Sequence, residues 1–251
     1  MPTHSPPAWR RPGGPPRIET GSVQLHRVRL EAGPDEEREL AACLPADEIA
    51  AAGRFRFERD RRNFTLRRAL LRRILAGYLG VAAAAVRFVA NEFGKPSVAD
   101  AADVGDLRFS YSHSGDQALL AVTLGRELGV DLEQHRAIPD ALQMAESFFA
   151  PREVAALKAL PADELAAAFF ACWTRKEAFI KALGLGLSFP LNAFAVSLEE
   201  PASLLELHGV PPPAGAWTLQ SLPVGAGWSA ALVVQGAGWD VACWDGWRGR
   251  G

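Results

Sequence analysis

Two carboxylates stand two residues apart in the stretch GVDLEQHR, which runs from Gly129 to Arg136. The stretch alternates like a strand, and successive side chains of a strand point to opposite faces, so Asp131 and Glu133 share one face. Two like charges on one face indicate either a strand face open to water or a cation held between the carboxylates.

A third carboxylate belongs to the stretch FFACWTRKEAFIKALGLGLSFPLNAF, from Phe169 to Phe194. Trp173, Glu177 and Lys181 follow one another at intervals of four residues, which places them on one stripe of a helix. An ordinary Glu–Lys pair on a solvated helix face, worth about 0.2–0.5 kcal/mol, also accounts for the two charges. The surrounding aromatic residues favour a functional site instead. So does the exit Gly184-Leu185-Gly186, whose glycines let the backbone approach another group closely.

Taken together, Asp131, Glu133 and Glu177 are candidate ligands of one hard divalent cation. Mg²⁺ prefers oxygen ligands, takes few of them from protein and completes its shell with water and substrate phosphate. Lys181 lies one helical turn beyond Glu177 and would face those phosphates. The sequence therefore predicts a magnesium site that serves a phosphate-bearing substrate.

The elements that must position these residues recur in the same order in two halves of the chain. Each half has a strand, two short helices, a long helix and then further strands, with the long helices at about 60–79 and 162–183. Matching elements lie roughly a hundred residues apart, which indicates a structural duplication. We therefore predict an α+β fold of two similar α/β subdomains related by a pseudo-two-fold axis, with the active site in the cleft between them.

The predicted boundaries are a disordered leader at residues 1–20, an N-terminal subdomain at 21–125 and a C-terminal subdomain at 126–251. The leader is assigned from its Pro, Arg and Gly content and its lack of any apolar run.

The composition limits the kinds of partner that the chain is expected to bind. The net charge is −2 and the hydrophobic fraction is 49%, so nothing in the overall balance indicates nucleic acid or a membrane surface. No stretch approaches the roughly 20 apolar residues that span a bilayer. The three cysteines have neither zinc-site spacing nor the pattern of a disulfide framework, which is typical of a reducing compartment. We predict a cytoplasmic protein.

Four short motifs resemble the 4′-phosphopantetheinyl transferases, and specifically the surfactin-type subclass, in which one chain is a pseudo-dimer. In chain order they are FGKP (93–96), FSYSHSGD (109–116), GVDLE (129–133) and WTRKEAFIKALGLGL (173–187). The resemblance covers roughly residues 54–194, and its strength lies in the order and spacing of the four motifs together.

The resemblance implies transfer of the phosphopantetheine arm of coenzyme A to a serine of an apo acyl or peptidyl carrier protein, with release of adenosine 3′,5′-bisphosphate. It implies Mg²⁺ ligands at Asp131, Glu133 and Glu177, catalytic roles for Asp131, Glu177 and Lys181, and coenzyme A contacts at Arg54, Thr65, Lys95, Ser112, His113 and Lys181. Glu153 matches a further acidic position of the family. Cationic partners are needed because coenzyme A carries a pyrophosphate and a 3′-phosphate.

One helix face has two interpretations. Arg61, Thr65, Arg68 and Arg72 share a face of the long helix in the first half, where residues 54–73 hold nine arginines and two acids. This face could contact phosphate or simply be a solvated basic surface.

Two other functions remain open from the sequence. The first is that the chain is another Mg²⁺-dependent phosphotransferase or nucleotide hydrolase. The lack of any G-x-x-x-x-G-K-[ST] stretch weakens this hypothesis. A non-catalytic carrier-binding module is the second, although all three candidate metal ligands are present. Because the duplication supplies both halves in one chain, we expect a monomer.

Overall fold

The computed structural model describes residues 8–13, 17–99, 104–208 and 216–246. It has the α+β architecture predicted from the sequence, with helices packed on two main sheets, one mixed and one antiparallel. Across these four ranges, no helix has both the length and the apolar character needed to cross a membrane.

The first sheet has five strands. In spatial order they are β1 (Trp9–Arg10), β12 (Asp240–Asp245), β2 (Ser22–Arg29), β6 (Gln117–Leu124) and β5 (Leu107–Ser114). Strands β5 and β6 form a hairpin, and its turn contains Gly115 with a φ of 51°. Glycine adopts this left-handed conformation without steric cost, so the Gly-Asp pair is a good signal for the turn.

The second sheet has three antiparallel strands in the order β10 (Trp217–Ser221), β11 (Trp228–Gln235) and β7 (Leu128–Gln134). Two small hairpins accompany it: β3 (Phe88–Ala90) with β4 (Pro96–Val98), and β8 (Phe194–Val196) with β9 (Leu204–Leu207). The strand that carries both carboxylates, β7, is therefore an edge strand of its sheet, as β5 is of the first.

The helices are α1 (Pro34–Ala41), α2 (Ala46–Ala52), α3 (Glu58–Leu79), α4 (Ala141–Phe148), α5 (Pro151–Lys158) and α6 (Ala162–Leu183). Helices α3 and α6 each have 22 residues and match the two long helices that the periodicity predicts. Both end at a glycine in the left-handed conformation, Gly80 with φ 68° and Gly184 with φ 70°. This C-terminal glycine stops a helix by satisfying its last carbonyls.

The core shows how the elements are layered. Alternate residues of β6 and β11 divide between clusters: Leu119 and Leu232 lie in a cluster between the two sheets, whereas Leu120 packs towards α3 and Val233 towards α6. The molecule is thus layered as α3, first sheet, second sheet and α6. A long helix covers the outer face of each sheet, as the predicted duplication requires.

Two strands extend the predicted architecture. The last strand, β12, lies in the predicted C-terminal subdomain, 126–251, but pairs in parallel with β2 in the first sheet. Trp9 and Arg10 form β1 against β12, and Trp9 Nε1 donates to the carbonyl oxygen of Pro223 at 2.6 Å. The predicted disorder is therefore wrong for these two residues, because one tryptophan anchors a Pro-rich segment. Residues 1–7 and 14–16 lie outside the described residues, and the boundary at 125 stays a prediction.

Candidate active site

The two sheets meet where the edge strands β5 and β7 lie side by side. Side-chain hydroxyls make the connection: the N–H of Val130 donates to Ser110 Oγ at 3.0 Å, and the N–H of Gln134 donates to Ser114 Oγ at 3.1 Å. Because residues 110, 112 and 114 alternate along β5, their hydroxyls lie on the side that faces β7. The serine alternation in FSYSHS therefore joins the two halves of the molecule.

Asp131 and Glu133 project from β7 towards this seam, on one face as the alternation predicts. Ser112 Oγ donates to Asp131 Oδ1 at 2.7 Å, and Ser114 Oγ donates to Glu133 Oε2 at 2.8 Å. Arg136 lies 3.4 Å from the same Glu133 oxygen. Asp131 is only 4% exposed, so a strand face open to water does not account for the pair.

Helix α6 reaches the same seam because it packs directly on β7. A Cβ atom added to Gly129 would collide with the carbonyl oxygen of Ala178 and the amide nitrogen of Ala182. Only glycine allows the helix backbone to approach so closely. This contact brings Glu177 and Lys181, the neighbours of the two alanines, to the face of β7 that carries the carboxylates.

Lys181 pairs with Asp131 of β7 and not with Glu177 along its own helix. Its Nζ lies 2.7 Å from Asp131 Oδ1 and 3.0 Å from Ser112 Oγ. The ordinary helix-surface Glu–Lys pair considered from the sequence is therefore not the contact that Lys181 makes. Ser112, predicted to contact coenzyme A, here holds the catalytic candidates Asp131 and Lys181 together.

Glu177 is a buried carboxylate with two like charges nearby. Burial, followed by the nearby Asp131 and Glu133 carboxylates, raises the pKa of Glu177, and Lys181 opposes that rise only in part. Asp131 and Glu133 thus act electrostatically on Glu177. Glu177 Oε1 and Asp131 Oδ2 are buried and have no hydrogen-bond partner within the part of the chain that the structure describes.

Asp131 and Glu133, two of the predicted magnesium ligands, have partners within the chain. Among the described residues, no three His, Cys, Asp or Glu side chains are arranged as a ready metal-binding group. In this structure Lys181 holds Asp131, while Ser114 and Arg136 hold Glu133. The two unpartnered buried carboxylate oxygens nevertheless fit a cation, since an unsatisfied buried anion is costly. Mg²⁺ binding at the three carboxylates stays a prediction.

A cleft of about 250 Å³ opens beside these residues. Its lining includes Phe93, Tyr111, Glu177, Lys181 and Gly186. One wall is therefore the FGKP loop, and the opposite wall is the end of α6.

The glycine-rich exit of α6 lets this loop approach. Asn91 Nδ2 donates to the carbonyl oxygen of Gly184 at 2.7 Å, and a Cβ added to Gly184 would lie 2.9 Å from Lys95 Cδ. The expectation that the glycines allow a close backbone approach is confirmed, and the partner is the FGKP loop.

Lys95 makes internal contacts in this loop. Its Nζ donates to Glu127 Oε2 at 2.6 Å and to the carbonyl oxygen of Ala182 at 3.1 Å. Burial lowers the pKa of Lys95, with the neighbouring Glu127 carboxylate opposing the effect. The ammonium thus ties the loop to the start of β7 and the end of α6. Its contact with a coenzyme A phosphate stays a prediction.

His113 has a cationic neighbour that the sequence did not reveal. The imidazole Nε2 contacts the Arg67 guanidinium, which reaches across from α3. Burial, Arg67 and Lys181 together lower the pKa of His113 to about 4, so the ring is neutral near pH 7 and accepts the guanidinium N–H. Arg67 has no carboxylate partner among the described residues, whereas five other arginines of α3 each have one.

Known protein families match both halves of the chain. Residues 32–124 match the family model for the N-terminal domain of 4′-phosphopantetheinyl transferase, and residues 127–233 match that of the 4′-phosphopantetheinyl transferase superfamily. The 4′-phosphopantetheinyl transferase HetI of a Nostoc species is 40% identical over 83% of this chain and 86% of its own. The chain belongs to the 4′-phosphopantetheinyl transferase family.

Other relatives support the surfactin-type subclass. A 4′-phosphopantetheinyl transferase of Bacillus subtilis is 33% identical over 68% of this chain and 73% of its own. The 4′-phosphopantetheinyl transferase Sfp of Bacillus subtilis strain 168 is 30% identical over 66% of this chain and 71% of its own. The fold and the family expected from the four motifs are thus confirmed.

Within this transferase fold, the predicted basic face of α3 is divided. Arg68 and Arg72 both bind the buried carboxylate of Glu48 and hold α2 against α3. These two arginines therefore have a structural role. This role supports neither of the two interpretations of the basic face, a solvated surface or a phosphate contact. Thr65 lies half-buried on the same helix, and Arg54 is exposed in the loop after α2. Their coenzyme A contacts stay predictions.

Glu153 has a structural position in the transferase. Its carboxylate pairs with Lys176 at 2.8 Å, and both side chains are fully buried. The ammonium also donates to the carbonyl oxygens of Leu191 and Phe194, and the carboxylate accepts the N–H of Val196 at 2.7 Å. Because every charge has partners, this network can hold α5, α6 and β8 in register. In the motif WTRKEAFIK, Lys176 thus faces the core while its neighbour Glu177 faces the seam.

Proposed function

We propose that the chain transfers the 4′-phosphopantetheine arm of coenzyme A to a serine of an apo acyl carrier protein or peptidyl carrier domain. The serine oxygen forms a new bond to phosphorus, the pyrophosphate bond breaks, and adenosine 3′,5′-bisphosphate leaves. The observation that carries the proposal is the meeting of Asp131, Glu177 and Lys181 at the seam, in a chain of this family.

The reaction is Mg²⁺-dependent in this proposal. Asp131, Glu133 and Glu177 would hold the ion, whose positive charge would offset that of the pyrophosphate. Lys181 lies beside the same carboxylates and supplies a fixed cation for the phosphates. Arg67 and His113, further along the seam, supply donors for a second phosphate group of coenzyme A.

The direct test is intact-mass spectrometry of several apo carrier proteins after incubation with the chain, coenzyme A and Mg²⁺. We expect at least one carrier to gain the mass of one phosphopantetheine arm. Asp131→Ala and Glu177→Ala should each remove most of this activity while the fold survives, because loss of one ligand weakens ion binding. Glu164→Ala is the matched control, since this carboxylate is exposed at the other end of α6.

Two results would contradict the proposal. Near-normal rates in either ligand variant at limiting Mg²⁺ would exclude the three-carboxylate site. Cleavage of coenzyme A with no modification of any carrier would favour the nucleotide hydrolase alternative instead.

We also infer that one chain is the active unit and that it works in the cytoplasm. The two sheets and the seam between them come from a single chain, and all three cysteines are free thiols, as in a reducing compartment. Light scattering should give the mass of a monomer. An obligate oligomer that loses activity on dissociation would contradict this inference.

A further inference from the structure

The ammonium of Lys181 contacts the Asp131 carboxylate, which a cation site at the seam would need. Lys181 Nζ lies 2.7 Å from Asp131 Oδ1, and Ser112 Oγ donates to the same oxygen at 2.7 Å. The side chain of Asp131 is 6% exposed, so these internal contacts take the place of water at Oδ1.

Two further carboxylate oxygens lie buried at the seam. Asp131 Oδ2 and Glu177 Oε1 are buried without a hydrogen-bond donor in the described parts of the chain. A buried carboxylate oxygen with no donor costs free energy, and a compact cation between the two groups would remove that cost. Lys181 satisfies one oxygen of Asp131 and leaves these two unsatisfied, so it substitutes for such a cation only in part.

We propose that Lys181 is an internal competitor for the divalent cation, and that it leaves Asp131 when a phosphate group enters the cleft. The identity of the cation and of the phosphate ligand, Mg²⁺ and coenzyme A, rests on the proposed function. Mg²⁺ that binds alone draws on the same Asp131 carboxylate, so it weakens the Lys181–Asp131 ion pair and leaves the ammonium with less compensating charge. Bound coenzyme A offers the ammonium a new anionic partner, which removes this penalty.

The consequence is a coupling between two ligands. Coenzyme A strengthens Mg²⁺ binding beyond what its own phosphate oxygens contribute, and Mg²⁺ strengthens coenzyme A binding by the same factor. Lys181 thus favours the assembly of both ligands over the binding of Mg²⁺ alone.

The test is a titration of the folded chain with Mg²⁺ alone, followed by calorimetry, without coenzyme A or carrier protein. Lys181→Met removes the ammonium and keeps an unbranched side chain. Arg136→Met is the matched control, because it removes one positive charge that lies 3.4 Å from Glu133 and is 64% exposed. We expect Lys181→Met to bind Mg²⁺ about tenfold more tightly than the natural sequence, and Arg136→Met to change the affinity less than about twofold.

A second titration in the presence of coenzyme A measures the coupling. The factor by which coenzyme A raises the Mg²⁺ affinity should be about tenfold smaller in Lys181→Met than in the natural sequence. Lys181→Gln provides a second variant in case the methionine variant does not fold.

Several results would overturn the competitor role. One is an unchanged or weaker Mg²⁺ affinity, or no measurable Mg²⁺ binding, in the Lys181 variants. Another is a gain in Mg²⁺ affinity in Arg136→Met that equals the gain in Lys181→Met. Because no carrier protein takes part, the outcome is separate from the proposed function. A chain that shows the expected titrations but modifies no carrier would contradict the transfer reaction and leave the competition supported.

Discussion

At the residue scale, Lys181 is the cation that the proposed transfer would place beside the developing negative charge. Its Nζ lies beside the carboxylates predicted to hold the ion, at the wall of the cleft. A fixed donor in such a position stabilises a transition state by about 3 kcal/mol. We therefore expect Lys181→Ala to lower kcat by about a hundredfold, with a smaller change in the KM for coenzyme A.

Steady-state kinetics on Lys181→Ala, together with a thermal melt, distinguish this role from a purely structural one. If the ion pair with Asp131 only stabilised the fold, the melting temperature would fall and kcat would stay nearly normal. That result would exclude Lys181 from transition-state stabilisation.

Arg67 is the second prediction at this scale. Because this guanidinium contacts a neutral imidazole and has no carboxylate among the described residues, it is available to an anionic ligand. A hydrogen bond to a charged group contributes about 1.5–3 kcal/mol, so Arg67→Ala should weaken coenzyme A binding by at least about tenfold.

Arg73→Ala is the control for Arg67, since Arg73 lies on the same helix and donates to the backbone carbonyl of Glu39. Calorimetric titration with coenzyme A measures both variants. Equal affinities for the two variants would show that Arg67 does not bind the ligand.

At the scale of secondary structure elements, the contact between α6 and β7 is the one that assembles the site. Gly129 allows this contact, and an added methyl group would collide with the backbone of α6 at Ala178 and Ala182. Overpacking in a core costs about 1–3 kcal/mol. We expect Gly129→Ala to lower the free energy of unfolding by at least that amount, and to reduce activity by moving Glu177 and Lys181 away from Asp131.

Chemical denaturation measures this effect, with Gly53→Ala as the control. Gly53 has a φ of −64°, and an added Cβ would lie at ordinary contact distance, 3.5 Å from the Ala50 carbonyl oxygen. Equal stabilities of the two alanine variants would mean that the helix backbone does not lie against Gly129.

At the scale of the whole molecule, the two halves share one core. The cluster between the sheets takes Val23 and Leu25 from β2, and Val130 and Leu232 from the second sheet. Strand β12 follows the second sheet in sequence and pairs with β2 in the first. Neither half can lose its structure without exposing apolar surface of the other.

We therefore predict that the chain unfolds in one cooperative transition. Differential scanning calorimetry should show a single peak whose calorimetric and van't Hoff enthalpies agree. Two separate peaks would mean that the two halves are independently stable.

Local patterns in the sequence determined most of the elements and part of the site. The 3.6-residue periodicity predicted α3 and α6, because a helix that covers a sheet needs one apolar face. Strand alternation placed Asp131 and Glu133 on one face, and the glycines after α6 predicted a close backbone approach. These signals can be recognised in the sequence because each depends on residues that are close together along the chain.

The tertiary structure alone decided which charged groups meet. Lys181 pairs with Asp131, 50 residues away, instead of the nearby Glu177, and Lys95 pairs with Glu127, 32 residues away. Arg67 reaches His113 from a helix that carries many arginines, and nothing in its local pattern distinguishes it from them. The sequence thus determined which side chains were available at the seam. Their pairing depended on how closely α3, α6, β5 and β7 pack, because a charge pairs with the nearest opposite group in space.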